Sequence, residues 1–268
     1  MTLAPGIRRL IAPNPGLFTG PGTNTYLIGH ERVAILDPGP AIPAHVEALL
    51  AATQGMAVVA VVVTHTHMDH SPAASPLAQA LGVPRIGRVA RYAINQDPSF
   101  IPDQVAIDGF CVSTDAGDLH AISTPGHASN HVCWHHPQAG ILYTGDHILG
   151  TTSPVIRVPD GDMADYLQAL AALARLPDLI LAPAHGSLMP HSHAVIATLI
   201  DHRLQREQRV LESVRAYGPI TLEALVLQVY TDVDPALHPI ARYSLEAHLL
   251  KLQTDGRVIS MDGRWSVL

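Results

Sequence analysis

The stretch VVVTHTHMDHSPAA, residues 61–74, sets three histidines and an aspartate within six positions, directly after an apolar run. Imidazoles and a carboxylate crowded at the end of a buried strand repel or titrate unless a positive partner sits among them. In an extended segment residues two apart face the same way, so His65 and His67 can grip one cation, with Asp69 farther along the same side. His70 points away unless the chain turns there. Ser71 and Pro72 supply that turn as the N-cap and first helical position of AASPLAQALG. The segment can therefore divide its donors between two metal centres. A zinc centre generally takes four donors, so others must come from elsewhere in the chain.

They stand at the ends of other strands. NTYLIG and RVAILDPG read as a strand pair turning near Gly29 and His30, and AIPAHVEALLAATQG reads as a helix stopped by Gly55. AVVAVVVTH is continuously β-branched and reads as a strand buried on both faces. DLHAISTPGH, GILYTGDH and DLILAPAHG are strands ending in polar residues, and MADYLQALAALARL is a helix. The ends of these strands carry His127, Asp146 and His185. A glycine before His127, one before Asp146 and one after His185 let backbone pass close to a crowded site. Carboxylate can bridge two cations, whereas neutral imidazole donates to one.

The pattern changes near residue 200. SHAVIATLIDHRLQREQRVLESVRAYG reads as one long helix joining the halves. Thr221 caps LEALVLQVY, PALHPIARYSLEAHLLKLQTDG supplies a further helix, and RVISMDGRWSVL is a hairpin about Asp262-Gly263. The expected domains are therefore 1–200, mixed α/β, and 201–268, a small winged helix.

Composition narrows the function. The net charge of −7 disfavours nonspecific polyanion binding. In the winged helix the positive residues are Arg206, Arg209, Arg215, Arg242, Lys251, Arg257 and Arg264, against eight acidic ones, which disfavours DNA. A cleft-closing or dimer-forming role suits this module better. The longest apolar run, MAVVAVVV, is too short for a membrane span, and the N-terminus has no signal-peptide core, so the cytoplasm is the expected compartment. Cys111 and Cys133 form no CxxC and read as ordinary buried thiols.

HTHMDH, PGH, TGD and PAHG, in this order, resemble the metallo-β-lactamase superfamily. The resemblance implies an αββα sandwich with a two-metal site on its edge, so the fold class is α/β: a metallo-β-lactamase-like sandwich followed by a winged-helix domain. It also implies roles: His65, His67 and His127 on the first metal, Asp69, His70 and His185 on the second, and Asp146 bridging. GTNTYLIG, ILDPGPAIP, DHRLQREQRVLESV and the winged helix further resemble the β-lactamase-like protein 2 group. Members of that group include RNA-cleaving enzymes, and related proteins are thioesterases. Residues 93–115 match no motif of the group and are expected to form a loop at the substrate cleft.

The expected cofactor is two Zn2+, with iron or manganese as alternatives that His and Asp donors also suit. The expected reaction is hydrolysis, a metal-bridging hydroxide attacking the carbonyl of a small ester, thioester, lactone or lactam, with Asp69 and Asp146 as catalytic carboxylates. The alternatives are cleavage of single-stranded RNA and, on iron, redox chemistry. RNA would need stacking aromatics, for which Trp134, Tyr143 and Phe100 are the candidates. Asp37 is expected to orient a ligand histidine or to serve the turn before Pro38-Gly39. Asn24, His131 and His147 are candidates for supporting a ligand or touching substrate, and His191 and His193 for lining the cleft. His135 and His136 are expected in a solvated turn. His30, His45, His120, His202, His238 and His248 are expected on the surface or in packing.

Overall fold

Nearly continuous apolar strands, whose successive side chains turn to opposite faces, build two sheets with cores on both sides. The computed structural model describes residues 1–150 and 153–268. Its first sheet joins β1 (Thr2–Ala4), β2 (Ile7–Ile11), β3 (Asn24–Ile28), β4 (Arg32–Leu36), β5 (Ala57–Val62), β6 (Arg85–Gly87) and β7 (Gln104–Val105), in that spatial order. Tyr26 and Ile28, Ala34 and Leu36, and Ala60 and Val62 face inward. Leu27, Val33, Ile35 and Val61 face outward against Leu49 of helix α1 (Pro43–Ala52) and Leu77 of helix α2 (Ala74–Leu81). β5 pairs in parallel with β4 and β6, as its unbroken β-branched run demands.

The second sheet runs β12 (Ile180–Pro183), β11 (Ile141–Gly145), β10 (Val132–His136), β9 (Gly117–Ser123), β8 (Cys111–Thr114). Val132, Trp134 and Tyr143 meet the first sheet in the central layer. Cys133, Leu142 and Leu181 face the other way, against helix α3 (Met163–Leu173) and Ile196 of helix α4 (Ser192–Tyr217). The result is helix, sheet, sheet, helix, the expected four-layer sandwich.

α4 continues past the sandwich. Its Val210, Leu211 and Val214 enter a separate core with helix α5 (Leu222–Val229), helix α6 (His238–Thr254) and a small sheet ordered β13 (Ile220–Thr221), β15 (Arg264–Val267), β14 (Val258–Met261). Thr221 Oγ1 accepts from Ala224 N, capping α5, and Asp262 and Gly263 both take positive φ in the β14–β15 turn. The division at 200/201, which we keep as a proposal, falls inside α4. Ion pairs fix the module to that helix: Arg206 forks onto Asp232 at 2.9 and 3.1 Å, and Lys251 Nζ donates to Glu207 at 2.9 Å.

Four expectations need correction. α2 starts at Ala74, because the Ser71 hydroxyl donates to Asp97 Oδ2 at 2.8 Å and is spent on that loop instead of capping a helix. His136 is buried at the end of β10, with Nε2 on Ala116 O at 3.0 Å. Cys111 is exposed, since β8 is an edge strand and its outer face is bare. Residues 93–115 are only partly loop, since they include β7 and β8. Among the described residues no helix is long and apolar enough to cross a membrane.

Candidate metal centre

Parallel strands end at a common edge, and this is what gathers residues far apart in sequence. The loop after β5 delivers His65, His67, Asp69 and His70, and the loop after β9 delivers His127. Asp146 follows β11 directly, and His185 follows β12. Backbone freedom matters most at Gly145, whose φ is 49°. A Cβ there would lie 2.5 Å from Thr64 Oγ1 and 2.6 Å from His131 Nε2, so only glycine brings Asp146 this close.

The seven donors fall into two groups sharing one carboxylate. His65 Nε2 and His127 Nε2 lie 2.9 and 3.1 Å from His67 Nδ1. Nitrogens on one tetrahedral zinc sit roughly 3.3 Å apart, so this spacing fits a cation. In the second group His185 Nε2 lies 3.1 Å from Asp69 Oδ2, and His70 Nε2 lies 3.7 Å from the same oxygen. Asp146 joins them: Oδ1 lies 3.5 Å from His70 Nε2 and 3.4 Å from His185 Nε2, while Oδ2 faces His127 Nε2 at 3.7 Å.

Hydrogen bonds behind the donors set which nitrogen is offered. Asp37 Oδ1 accepts from Thr64 N at 2.7 Å, and Oδ2 accepts from Thr64 Oγ1 at 2.8 Å and from His70 Nδ1 at 3.3 Å. His65 Nδ1 donates to Thr64 Oγ1, and His127 Nδ1 to Val155 O at 2.8 Å. Each of these rings therefore turns Nε2 to the centre. His70 Nε2, His185 Nε2 and Asp146 Oδ1 are buried with no hydrogen-bond partner among the described residues, and three such orphans facing one point fit a bound cation.

Electrostatics divides the groups in the same way. Burial pushes His65 well below the usual histidine range and His67 down to about 3, keeping both in the neutral, ligating form. Burial also acts on His70 and His185, but the Asp69 and Asp146 carboxylates outweigh it and raise both. Burial alone would raise the carboxyls too. The facing histidines instead hold Asp69 at about 2 and Asp146 well below the carboxylate range. Without a cation, protons on His70 and His185 supply the positive charge that the two carboxylates require.

The remaining candidates separate. Asp37 sits behind His70. Asn24 Nδ2 donates to Pro183 O and Gly186 O at 2.9 and 3.0 Å, so it holds the loop carrying His185 and, fully buried, does not reach the cleft. His131 is buried against His65, ring centroids 5.1 Å apart, and His147 is buried against Tyr166 at 4.7 Å, so neither reaches substrate. His191 and His193 bond Asp178 and Leu176 O away from the cleft, whereas His202 lines it. Sequence reasoning missed Thr64, which ties Asp37 to His65, and Tyr26, whose hydroxyl donates to Pro183 O at 2.7 Å. The adjacency of Thr64 to the histidines was the available signal for the first. Nothing in the sequence marked the second.

Above the donors opens a cleft of about 1050 Å³ between sandwich and winged helix, floored by His67, Asp69, His127 and Asp146. One wall carries Leu17, Phe18 and Met68, and the wall from the winged helix carries Leu237, Ile240 and Tyr243. Leu17 and Phe18 are 68% and 59% exposed, an unusual cost for apolar residues with nothing to bind. Arg157 stacks over the Tyr243 ring at 4.5 Å, tying the two walls together.

Fold and site together define an αββα sandwich whose edge gathers histidines and carboxylates into two groups that could each hold a cation. The family model for the metallo-beta-lactamase superfamily matches residues 18–185, and that for the beta-lactamase associated winged helix domain matches residues 221–265. The chain belongs to the metallo-beta-lactamase superfamily. It is 30% identical over 271 residues to an atrochrysone carboxyl ACP thioesterase of Aspergillus chevalieri, covering 96% of this chain and 83% of that one. It is 29% identical to a beta-lactamase-like protein 2 homolog of Caenorhabditis elegans, covering 96% and 87%. A beta-lactamase domain protein from Burkholderia ambifaria shares the fold with a TM-score of 0.86 at 22% identity, covering 100% of this chain and 93% of that one.

Proposed function

We propose that the chain is a two-zinc hydrolase of acyl thioesters whose acyl part is bulky and largely apolar. The observation that carries this reading is the position of the donors at the floor of a cleft walled by Leu17, Phe18, Ile240 and Tyr243. A pair of cations there would supply a nucleophile from water at neutral pH and polarise the substrate carbonyl. The chain's own groups do the rest. Asp146, whose two oxygens face the two groups, would hold a cation pair together by contributing to both. Asp69, 28% exposed at the cleft floor, is ionised at neutral pH and would orient the attacking water by accepting a hydrogen bond from it. The apolar walls exclude solvent and hold the acyl group against the floor.

Similarity to a thioesterase over nearly the whole chain supports the thioester among the ester, lactone and lactam alternatives. RNA is the weaker reading. Trp134, Tyr143 and Phe100 are all core residues, at most 3% exposed, and cannot stack on bases. Of the three arginines in the cleft, Arg206 is engaged by Asp232, Arg203 by Pro154 O, and Arg157 is stacked over Tyr243. Iron or manganese in place of zinc would use the same donors. The winged helix serves here to close the cleft.

The test is a substrate panel on the full-length protein: short and bulky acyl thioesters, esters, lactones, lactams and single-stranded RNA. Chelator-sensitive cleavage of bulky acyl thioesters, abolished by Asp146→Ala, is expected. Cleavage of RNA alone, or thioester cleavage untouched by Asp146→Ala, overturns the reading.

A further inference from the structure

A second set of metal-type donors lies on the outer face of the second sheet, separate from the seven residues of the candidate centre. Strands β8, β9 and β10 run side by side, and their register sets Cys111 opposite His120 and His120 opposite His135. Val112, Leu119, Ala121 and Trp134 point into the central layer. Alternation therefore puts Cys111, Asp118, His120 and His135 together on the outer face. The helices that cover this face pack over Cys133, Leu142 and Leu181 and leave Cys111 exposed.

The ligand atoms of Cys111, Asp118 and His120 all lie within 4.8 Å of one another. Local packing does not consume them. Cys111 Sγ has only a weak contact with Ser113 Oγ at 3.9 Å, and among the described residues the Asp118 carboxylate makes no hydrogen bond or ion pair while its backbone N donates to Gln138 Oε1. Thiolate and imidazole donors on a divalent zinc sit at about 2.3 and 2.0 Å, roughly 3.5 Å from each other. Cys111 is exposed and Asp118 and His120 are half-buried, so closing that gap is a matter of side-chain rotation on a fixed pair of strands. Sulfur, nitrogen and oxygen together select a borderline cation over magnesium or calcium, whose shells are all oxygen.

We propose that Cys111, Asp118 and His120 form a surface site for a zinc-class divalent cation, distinct from the seven-donor centre. On binding, the Cys111 thiol releases its proton to solvent as the sulfur–metal bond forms, and nothing is oxidised or reduced. His135 on β10 is paired with His120 in the same row. The bound ion would staple edge strand β8 to β9 and cover an edge otherwise open to pairing with another chain.

Cobalt(II) tests this cleanly, because the seven-donor centre contains only nitrogen and oxygen and cannot give a sulfur-to-cobalt charge-transfer band. Full-length protein is titrated with Co2+ and followed in the near ultraviolet, with bound metal counted after desalting. The expected result is a charge-transfer band that saturates. Cys111→Ser should lose the band and one metal equivalent while chelator-sensitive hydrolysis is retained, and His120→Ala should weaken cobalt uptake at this band alone. Absence of the band from the wild type, or its persistence in Cys111→Ser, overturns the proposal. Hydrolysis plays no part in the band or the metal count, so the site stands or falls apart from the hydrolase reading.

Discussion

Asp37 Oδ2 stands 3.3 Å from His70 Nδ1, at the back of a ring whose front nitrogen faces Asp69 and Asp146. The carboxylate fixes which nitrogen of His70 carries the proton. Asp37→Asn keeps the volume but can turn an amide N–H toward the ring, favouring the wrong tautomer. Affinity for the metal held by His70 should fall about 10- to 100-fold, and the other ion should be retained. Competitive chelator titration of wild type and variant separates the two ions; an unchanged titration would remove Asp37 from the site.

Metal-free protein should depend on pH in the opposite sense from loaded protein. The facing carboxylates raise His70 and His185 above the ordinary histidine value of about 6.5. That contribution is fully present below about pH 6.5 and is lost as pH climbs through the raised values. Asp69, held at about 2, adds stability above the ordinary aspartate value of 3.8 that is lost as pH falls toward about 2. Cations compete with the protons on both histidines, so loading releases protons and strengthens as pH rises. Thermal melts at about pH 6 and about pH 9 should show the gap between loaded and chelated Tm widening at the higher pH. A constant gap contradicts this charge balance.

Gly145→Ala should be far more harmful than Gly140→Ala. Both glycines have positive φ, at 49° and 63°, so both substitutions carry about 1–2 kcal/mol of backbone strain. A Cβ at Gly140 meets open space, whereas at Gly145 it strikes Thr64 and His131. Overpacking should add about 1–3 kcal/mol at Gly145 and displace Asp146. Denaturation midpoints together with metal content measure both effects; equal losses at the two positions would count against the crowding.

Tyr243→Ala removes an aromatic wall and the seat of Arg157, at a residue only partly buried. KM for a bulky acyl thioester should rise about tenfold or more, with kcat and the KM for an acetyl thioester nearly unchanged. Equal effects on both substrates would make Tyr243 a structural residue only.

The donor set was legible in the sequence because metal chemistry restricts residue type and spacing so tightly. His65, His67, Asp69 and His70 announce themselves within six positions, and the others follow apolar strands. The strands at 26–28, 33–36 and 60–63 were legible as apolar runs, and the sandwich they build followed from the family resemblance; the structure sorts their side chains into inner and outer cores. Contacts set by strand register were not legible. Tyr26 reaches Pro183 across 157 positions and Asn24 reaches Gly186 across 162, and no local pattern encodes such pairings. Burial also misled where type and place conflict. Trp134 reads as an aromatic available for stacking, yet its indole donates to Val63 O inside the core. The short strands β1 and β8 carry too few residues for alternation to register.

Anomalous diffraction from crystals of the full-length protein, with data collected on either side of the absorption edge of its bound metal, bears most directly on the central claim. Two peaks should flank Asp146, one among His65, His67 and His127 and the other among Asp69, His70 and His185. A single peak, or none in protein that is still active, would contradict a binuclear centre.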